Sequence, residues 1–195
     1  MTSDGAAAKR EMRAAIRAER TARPAAERES AAVGIRIQLD ALVTRIGATT
    51  LTCYLSSPTE PGTREFVDEG TRRGLRILLP ASRDDGLLDW TEADPDAGEV
   101  ATALGVPEGA GTRLASDALD GIGLMLAPAS AIDRDGFRMG WGRGYYDRAI
   151  ASLAHRPPVY AVIYDAELVD RVPREPHDQR VDGVVTPTRT ITFAR

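Results

Sequence analysis

The sequence has a single cysteine, Cys53, among 195 residues, so it cannot form an internal disulfide. This scarcity is typical of proteins from a reducing compartment, and it predicts a cytoplasmic location. Cys53 falls in a predicted strand, which favours a buried structural thiol over a reactive one. The sequence also lacks a run of about 18 apolar residues, and its N-terminus has no apolar core like that of a signal peptide. We therefore expect neither a membrane span nor secretion.

Positive charge is scarcer than negative charge, and nearly all of it is arginine. The formal net charge is -4, which predicts no general attraction to nucleic acid or to anionic membranes. Of the 25 cationic residues, only Lys9 is a lysine. This bias leaves two interpretations of Lys9 open, namely chance or a specific requirement for a compact ammonium group.

The length and the hydrophobic content of 43% predict one globular domain with a substantial core. We expect a single domain over residues 1–195, with residues 1–6 as a disordered tail. Apolar periodicity and turn chemistry predict helices over residues 6–22, 24–46, 63–74 and 144–154. They predict strands over residues 48–55, 75–80, 86–91, 122–127, 159–164, 183–186 and 190–193. Residues 92–120 show little periodicity and are expected to be mostly loop.

Alternating strands and helices predict an α/β fold, a single mostly parallel sheet with helices on both faces. The strand at 86–91 is expected at an edge of this sheet. The second helix is expected to turn its apolar residues inward, namely Val33, Ile37, Leu42 and Ile46. Ligands of such sheets bind beyond the carboxyl ends of the strands. Residues 55–60, the segment after strand 122–127 and the proline-rich loop at 172–178 should meet there.

A glycine-rich segment over residues 133–148 is the most unusual part of the sequence. From Gly136 onward it contains four glycines and three cations, namely Gly136, Gly140, Gly142, Gly144, Arg138, Arg143 and Arg148. A predicted helix follows directly, and a loop of this kind binds anions such as phosphate through free N–H groups and the helix dipole. Asp147, in the first turn, could hold a metal that accompanies phosphate. The spacing matches neither the P-loop nor the dinucleotide-binding fingerprint.

Four segments, in the same order along the chain, carry a resemblance to a known family. Residues 138–148, Arg-Met-Gly-Trp-Gly-Arg-Gly-Tyr-Tyr-Asp-Arg, closely resemble the signature of 5-formyltetrahydrofolate cyclo-ligases, also called methenyltetrahydrofolate synthetases. Residues 9–13, 54–60 and 173–186 resemble the family's N-terminal basic element, its strand-end segment with a glutamate and its closing segment. The resemblance spans about residues 9–190. The chain departs from the family pattern at residues 127–133 and at Glu167, which stands where glutamine is common.

The resemblance implies an enzyme that converts 5-formyltetrahydrofolate to 5,10-methenyltetrahydrofolate, consumes ATP and requires Mg²⁺. The formamide oxygen is a poor leaving group, and its phosphorylation would let N10 of the folate attack the formyl carbon. Phosphoryl transfer needs positioning and charge neutralisation, which cations, backbone N–H groups and a metal provide. The implied partners are two small molecules, ATP and a reduced folate, and no obligate protein partner is indicated.

The resemblance also implies which residues form the site. The nucleotide is expected at Lys9, Arg10, Arg13, Arg138, Met139, Gly140, Trp141, Gly142, Arg143, Gly144, Tyr145 and Tyr146. The folate is expected at Arg13, Leu55, Glu60, Trp141, Gly142, Arg143, Gly144 and Tyr145. The expected catalytic residues are Arg143 and Tyr145. The expected Mg²⁺ ligands are Asp147 and Asp178.

Several of these residues also have an ordinary structural interpretation. One side of the first helix carries a basic stripe, formed by Arg10, Arg13, Arg17 and Arg20, and a solvated face is the default interpretation of such a stripe. Asp147 could simply stabilise a helix dipole, and His177 is expected to stabilise its loop. A non-catalytic folate- or nucleotide-binding module of the same fold is an alternative function. A nucleic-acid module built on the basic helix is disfavoured by the acidic net charge and by the lack of interleaved aromatic residues.

Overall fold

The computed structural model describes residues 3–101, 107–114, 116–175 and 178–194. The predictions made for residues 1 and 2 and for His177 lie outside this range. The helices are α1 (Ser3–Ala22), α2 (Ala25–Ile46), α3 (Arg64–Arg72) and α4 (Tyr145–Ser152), with 3-10 turns at Ser116–Leu119 and Asp165–Glu167. The strands are β1 (Thr50–Thr52), β2 (Arg76–Ser82), β3 (Leu88–Glu92), β4 (Glu99–Ala101), β5 (Pro107–Gly109), β6 (Arg113–Leu114), β7 (Leu124–Pro128), β8 (Ala131–Asp133), β9 (Arg138–Met139), β10 (Val159–Val162), β11 (Leu168–Val169), β12 (Gly183–Val185) and β13 (Thr190–Thr192).

A sheet with the strand order β13-β12-β10-β7-β1-β2-β3-β6 forms the centre of the molecule. All neighbours from β12 to β2 are parallel, whereas β13, β3 and β6 pair antiparallel. Parallel neighbours need long crossover connections, and here α3 connects β1 to β2 and α4 connects β7 to β10. The prediction of an α/β fold with a mostly parallel sheet is confirmed.

Helices cover both faces of this sheet, because successive residues of a strand point to opposite sides. On one face, Leu51 belongs to a buried cluster with Ile35 of α2 and Phe66 of α3. On the other face, Met125 of β7 belongs to a cluster with Ile150 of α4. No helix in the described part of the chain is long and apolar enough to cross a membrane.

The lone cysteine lies in the first of these clusters, where Cys53 is fully buried. Burial raises the pKa of its thiol to about 12. The thiol is therefore protonated at neutral pH, and the interpretation of Cys53 as a structural residue is confirmed.

The inward face predicted for α2 is only partly correct. The buried residues of this helix are Ala31, Ile35, Leu39, Leu42 and Val43, and Ile46 packs partly buried against them. Val33 and Ile37, which were expected inside, are exposed. Two neighbouring stripes of this helix both repeat at four-residue intervals, so periodicity alone cannot decide which one meets the sheet.

The position of one strand, the content of one loop and two element boundaries also differ from the prediction. β3 is not an edge strand, because β6 pairs with its outer side, and the expected loop at 92–120 contains this strand and the β4–β5 hairpin. These strands are two or three residues long, too short to show a period of two. α1 begins at Ser3, so residues 3–6 of the expected tail are helical. Regular pairing of β1 ends at Thr52, and the chain then turns into the loop at 56–62.

Candidate active site

A cavity of about 740 Å³ opens at the carboxyl ends of the central parallel strands. Its walls come from α1, from the loop after β1, from the glycine-rich loop between β9 and α4, and from residues 175 and 178. The loop after β1 and the glycine-rich segment that follows β7 meet at one end of the sheet because parallel strands end there, and α1 and residues 175 and 178 complete the walls. The predicted meeting of these segments is confirmed.

Most of the residues predicted for the site line this cavity. They are Lys9, Arg13, Leu55, Glu60, Arg138, Gly140, Trp141, Gly142, Arg143, Gly144, Tyr145, Tyr146, Asp147 and Asp178. Two predicted residues do not line it, and the regular geometry of their elements explains why. Arg10 is exposed on α1, about 100° around the helix from its neighbour Lys9. Met139 follows Arg138 on β9 and therefore points the opposite way, into an apolar cluster with Ile16.

The glycine-rich loop has backbone conformations that favour glycine. Gly142 and Gly144 have φ angles of 99° and 68°, and Gly144 is the N-cap of α4. A Cβ on Gly142 would lie 3.3 Å from Nη1 of Arg13, so the missing side chain lets α1 approach the loop. Arg13 Nε also donates a 2.8 Å hydrogen bond to the carbonyl of Gly140. A helix N-terminus beside this cation is suited to an anionic ligand.

Lys9 lies between two carboxylates from near the end of the chain, and we name Lys9, Glu175 and Asp178 the Lys9 cluster. Lys9 Nζ is 2.7 Å from Glu175 Oε2 and 2.8 Å from Asp178 Oδ2. Burial alone would lower the pKa of Lys9, but hydrogen bonds to Asp178 and Glu175 outweigh burial and raise this pKa. The Glu175 side chain is 40% exposed, and all three residues line the cavity. A ligand in the cavity can therefore reach this cluster.

Asp147, the other expected metal ligand, pairs with Arg138. Its Oδ1 is 2.8 Å from Nη2 of Arg138, whose Nη1 donates to the carbonyl of Pro128 at 3.2 Å. The pair is mostly buried at the cavity wall. Asp147 therefore does more than stabilise a helix dipole, because it also fixes an arginine of the glycine-rich segment.

The two aspartates fit Mg²⁺ only if the metal arrives with phosphate. In the described part of the chain, no group of three or more His, Cys, Asp or Glu side chains could hold a metal by itself. Mg²⁺ is commonly bound by one or two carboxylates together with phosphate oxygens and water. Asp147 and Asp178, both on the cavity wall, would supply the carboxylate part of such a ligand set.

The basic stripe of α1 is not a solvated face at Arg20, which is only 2% exposed. Arg20 Nε and Nη2 each lie 2.7 Å from one oxygen of Glu167, which is 4% exposed, and Nη2 also donates to the carbonyl of Ala129 at 2.9 Å. Glu167 in turn accepts the backbone N–H of Tyr164 at 2.9 Å. Burial would lower the pKa of Arg20, but the hydrogen bonds to Glu167 outweigh burial and raise it.

Sequence reasoning missed this Arg20–Glu167 pair, although one signal was present. Glu167 departs from the glutamine of the family pattern, and a carboxylate at that position needs a cation once it is buried. The structure places that cation on α1, whose stripe then divides into an exposed residue, Arg10, and three residues that line the cavity, Arg13, Arg17 and Arg20, of which Arg20 is buried.

Glu60 and its loop are held in place by hydrogen bonds. Glu60 Oε2 accepts the backbone N–H of Ser57 at 2.9 Å, and the hydroxyl of Tyr164 donates to the Glu60 carbonyl at 3.2 Å. The carboxylate therefore has a defined position at the cavity rather than the ordinary exposure of a loop glutamate.

The two expected catalytic residues lie on the outer part of the glycine-rich loop. The side chain of Arg143 is exposed, and the hydroxyl of Tyr145 donates to the carbonyl of Arg83 at 3.3 Å. Arg148 Nη2 donates to the Arg143 carbonyl at 2.7 Å, and its Nε donates to the Gly86 carbonyl at 2.9 Å. The turn between β2 and β3 thus supports the loop, a contact that no feature of the sequence indicated.

Comparisons with known proteins agree with this arrangement. A model of the 5-formyltetrahydrofolate cyclo-ligase family matches residues 5–187. A 5-formyltetrahydrofolate cyclo-ligase from Mycolicibacterium smegmatis is 35% identical over 192 residues, which are 96% of this chain and 97% of the relative. The cyclo-ligase of Escherichia coli K12 is 29% identical over 147 residues, covering 73% of this chain and 80% of the relative.

Solved structures show the same fold. A 5,10-methenyltetrahydrofolate synthetase from Aquifex aeolicus matches with a TM-score of 0.79 at 22% identity, covering 96% of this chain and 93% of the other. A synthetase from Mycoplasma pneumoniae matches with a TM-score of 0.73 at 20% identity, covering 92% and 98%. From the family match over nearly the whole sequence and the close relative of equal extent, we conclude that the chain belongs to the 5-formyltetrahydrofolate cyclo-ligase family.

Proposed function

We propose that this protein catalyses the ATP- and Mg²⁺-dependent cyclisation of 5-formyltetrahydrofolate to 5,10-methenyltetrahydrofolate, with release of ADP and phosphate. The observation that carries the proposal is the convergence of Lys9, Arg13, Glu60 and the glycine-rich loop on one cavity in a member of this family. The cavity volume of about 740 Å³ falls within the range of roughly 300–1,000 Å³ that is usual for small-molecule sites.

The nucleotide phosphates would bind among the cations of the cavity. Lys9, Arg13, Arg138 and Arg143 all line it, and the N-terminus of α4 opens toward the same space. Lys9 is buried among carboxylates and keeps its charge, so it offers phosphate a fixed ammonium. Such an arrangement neutralises a triphosphate and orients its terminal group, which is most of what phosphoryl transfer requires.

The chemistry proceeds in two steps. The formyl oxygen attacks the γ-phosphoryl group, and ADP leaves. N10 then attacks the formyl carbon, the carbon–oxygen bond breaks with departure of phosphate, and N10 loses its proton. Arg143, exposed beside the cavity, would contact the transferring phosphoryl group, and Tyr145 would border the formyl group. Neither step needs a nucleophile from the protein, so positioning and electrostatics account for catalysis.

Asp147 and Asp178 would hold Mg²⁺, which would supply charge neutralisation at the phosphates. Within the protein, Arg138 and Lys9 offset these two carboxylates at 2.8 Å each. The carboxylates therefore lie beside the cations assigned to the phosphates, where Mg²⁺ held by Asp147 and Asp178 would relieve the repulsion between carboxylate and triphosphate.

The folate would bind against Leu55 and Glu60. Leu55 supplies an apolar wall, and the Glu60 carboxylate, held by the N–H of Ser57, can accept hydrogen bonds from the N–H groups of a pterin. A site built to pair with the hydrogen-bonding groups of a substrate rejects analogues that lack them.

The test is to mix the purified protein with Mg-ATP and 5-formyltetrahydrofolate and to follow methenyltetrahydrofolate absorbance together with ADP. We expect one ATP consumed per folate cyclised. ATP hydrolysis at the same rate without folate would identify a generic ATPase instead. Tight binding of both ligands without turnover would favour the alternative function, a non-catalytic binding module of the same fold.

A further inference from the structure

The hydroxyl of Tyr54 is buried and has no hydrogen-bond partner within the described part of the chain. Tyr54 is 5% exposed, and it lines the cavity at the end of β1. Buried polar groups are normally paired, because an unpaired one loses its hydrogen bonds to water without replacement. Two other buried tyrosines follow this rule, since the hydroxyl of Tyr160 pairs with Oγ1 of Thr192 at 2.7 Å and that of Tyr164 donates to the Glu60 carbonyl at 3.2 Å.

The surroundings of Tyr54 supply a donor and an acceptor from two other segments. Arg20, on α1, also lines the cavity and has a buried Nη1 to which none of the described residues is hydrogen-bonded. Glu60 presents its carboxylate from the loop after β1. The charges of Glu60 and Arg20 both act on Tyr54, and burial raises its pKa well above the usual value, so its hydroxyl keeps its proton. Two donors without partners in the described part of the chain and one carboxylate acceptor thus line the same cavity.

We infer that Tyr54 determines specificity for the folate. Its hydroxyl and Nη1 of Arg20 both donate hydrogen bonds to the 4-oxo oxygen of the pterin, and Glu60 accepts hydrogen bonds from the neighbouring N–H and amino groups. The pterin edge carries one carbonyl acceptor next to an N3–H and a 2-amino donor, which is complementary to this set of groups. The inference rests on the proposed function and adds to it a residue that reads the pterin ring. Tyr146 also has an unpaired buried hydroxyl, but it lies within the segment expected to bind the nucleotide.

The first test compares Tyr54→Phe with the matched control Tyr160→Phe. Loss of the Tyr54 hydroxyl should raise the KM for 5-formyltetrahydrofolate about tenfold and leave the KM for ATP unchanged. Stability should not fall, because no hydrogen bond within the protein is lost. Tyr160→Phe removes a bond that is made in the protein, so it should lower stability and leave both KM values unchanged. Equal changes in both KM values for Tyr54→Phe, or no change in either, would overturn the inference.

The second test asks whether Tyr54 reads the carbonyl. In a 4-amino-4-deoxy analogue of 5-formyltetrahydrofolate, a donor replaces the 4-oxo acceptor and faces the donors of the protein. The wild type should prefer the 4-oxo compound in competition binding, and Tyr54→Phe should lose about tenfold of that preference. An unchanged preference would show that the hydroxyl does not contact this position and would overturn the inference.

Failure of the inference and failure of the proposed function give different results. If the wild type binds 5-formyltetrahydrofolate by calorimetry but does not cyclise it, the proposed reaction fails, and the Tyr54 comparison is made on the dissociation constants. If the wild type cyclises the folate and Tyr54→Phe behaves identically, only the inference fails. A wild type that binds no reduced folate overturns both.

Discussion

Two ionic contacts connect α1 to the second half of the chain, and they differ in how deeply they are buried. The Arg20–Glu167 pair is 2% and 4% exposed, with both carboxylate oxygens bonded to the guanidinium. The Lys9 cluster has one carboxylate that is 40% exposed, and it opens on the cavity. The same helix therefore carries one contact whose two charges are both buried and one whose carboxylate is partly exposed at the cavity.

This difference in burial distinguishes a contact that positions α1 on the sheet from a contact that is open to ligand binding. A buried pair cannot exchange partners, because removing one member leaves an uncompensated charge in a region of low dielectric constant. It fixes the helix relative to the sheet. In the Lys9 cluster, the proposed phosphate and Mg²⁺ would replace the contacts between Lys9 and its carboxylates. Solvent at the cavity lowers the free-energy cost of separating these charges. We therefore expect mutation of Glu167, which does not line the cavity, to reduce stability, and mutations in the Lys9 cluster to reduce function.

The largest functional effect is expected at the carboxylates assigned to Mg²⁺. Asp178→Asn and Asp147→Asn should each lower kcat by orders of magnitude, because a metal at the phosphates supplies several kcal/mol of transition-state stabilisation. Folate binding should persist, and higher Mg²⁺ should partly restore the rate. The double variant should be little worse than either single variant, since both disable one site. The measurement is activity against Mg²⁺ concentration, and a variant with wild-type dependence is not a metal ligand.

The buried pair should show the largest effect on stability. Glu167→Ala should cost about 3–5 kcal/mol in the free energy of unfolding, because Arg20 then stays buried without its counter-charge. The control is Glu27→Ala, which removes an exposed i,i+4 partner of Arg23 and should cost at most about 0.5 kcal/mol. Denaturant unfolding measures both. Similar values for the two variants would mean that the buried pair is no stronger than a surface pair.

Lys9→Gln tests the contact that opens on the cavity. We expect the KM for ATP to rise about tenfold, as for loss of a charge-assisted hydrogen bond of about 1.5 kcal/mol, with little change in the KM for folate. Arg10→Gln is the matched control, because Arg10 is the adjacent cation but does not line the cavity. Steady-state kinetics for both substrates provide the measurement. Equal effects of Lys9→Gln and Arg10→Gln would point to general electrostatic attraction instead of a specific contact.

The smallest effect is expected at Glu60, which belongs to neither contact with α1. Glu60→Gln keeps the shape of the side chain but removes its charge, so we expect a severalfold weaker affinity for 5-formyltetrahydrofolate and an unchanged affinity for ATP. Calorimetry with each ligand measures this, with Glu65→Gln, a residue of α3 outside the cavity, as the control. Loss of ATP affinity would place this loop on the nucleotide side of the site.

The site was predictable where its residues belong to contiguous motifs. Arg13 and the glycine-rich loop were assigned from short strings of residues, and the structure brings both to the cavity. Two residues that were assigned to the site from the same motifs do not line the cavity. Arg10 and Met139 are direct neighbours of cavity residues, but the period of a helix or a strand turns an adjacent side chain away from its neighbour. A motif therefore identifies a segment, while the element that contains it decides which side chains reach the ligand.

The sequence by itself determined the α/β class, the family and the segments of the site, because periodicity and motifs are local properties of the chain. The tertiary structure decided which stripe of α2 is buried and which partner each charged residue has. Arg20 pairs with Glu167 across 147 positions and Lys9 pairs with Asp178 across 169. Such pairings depend on burial and on the distance between atoms in the folded chain, and neither can be read from residues taken in order.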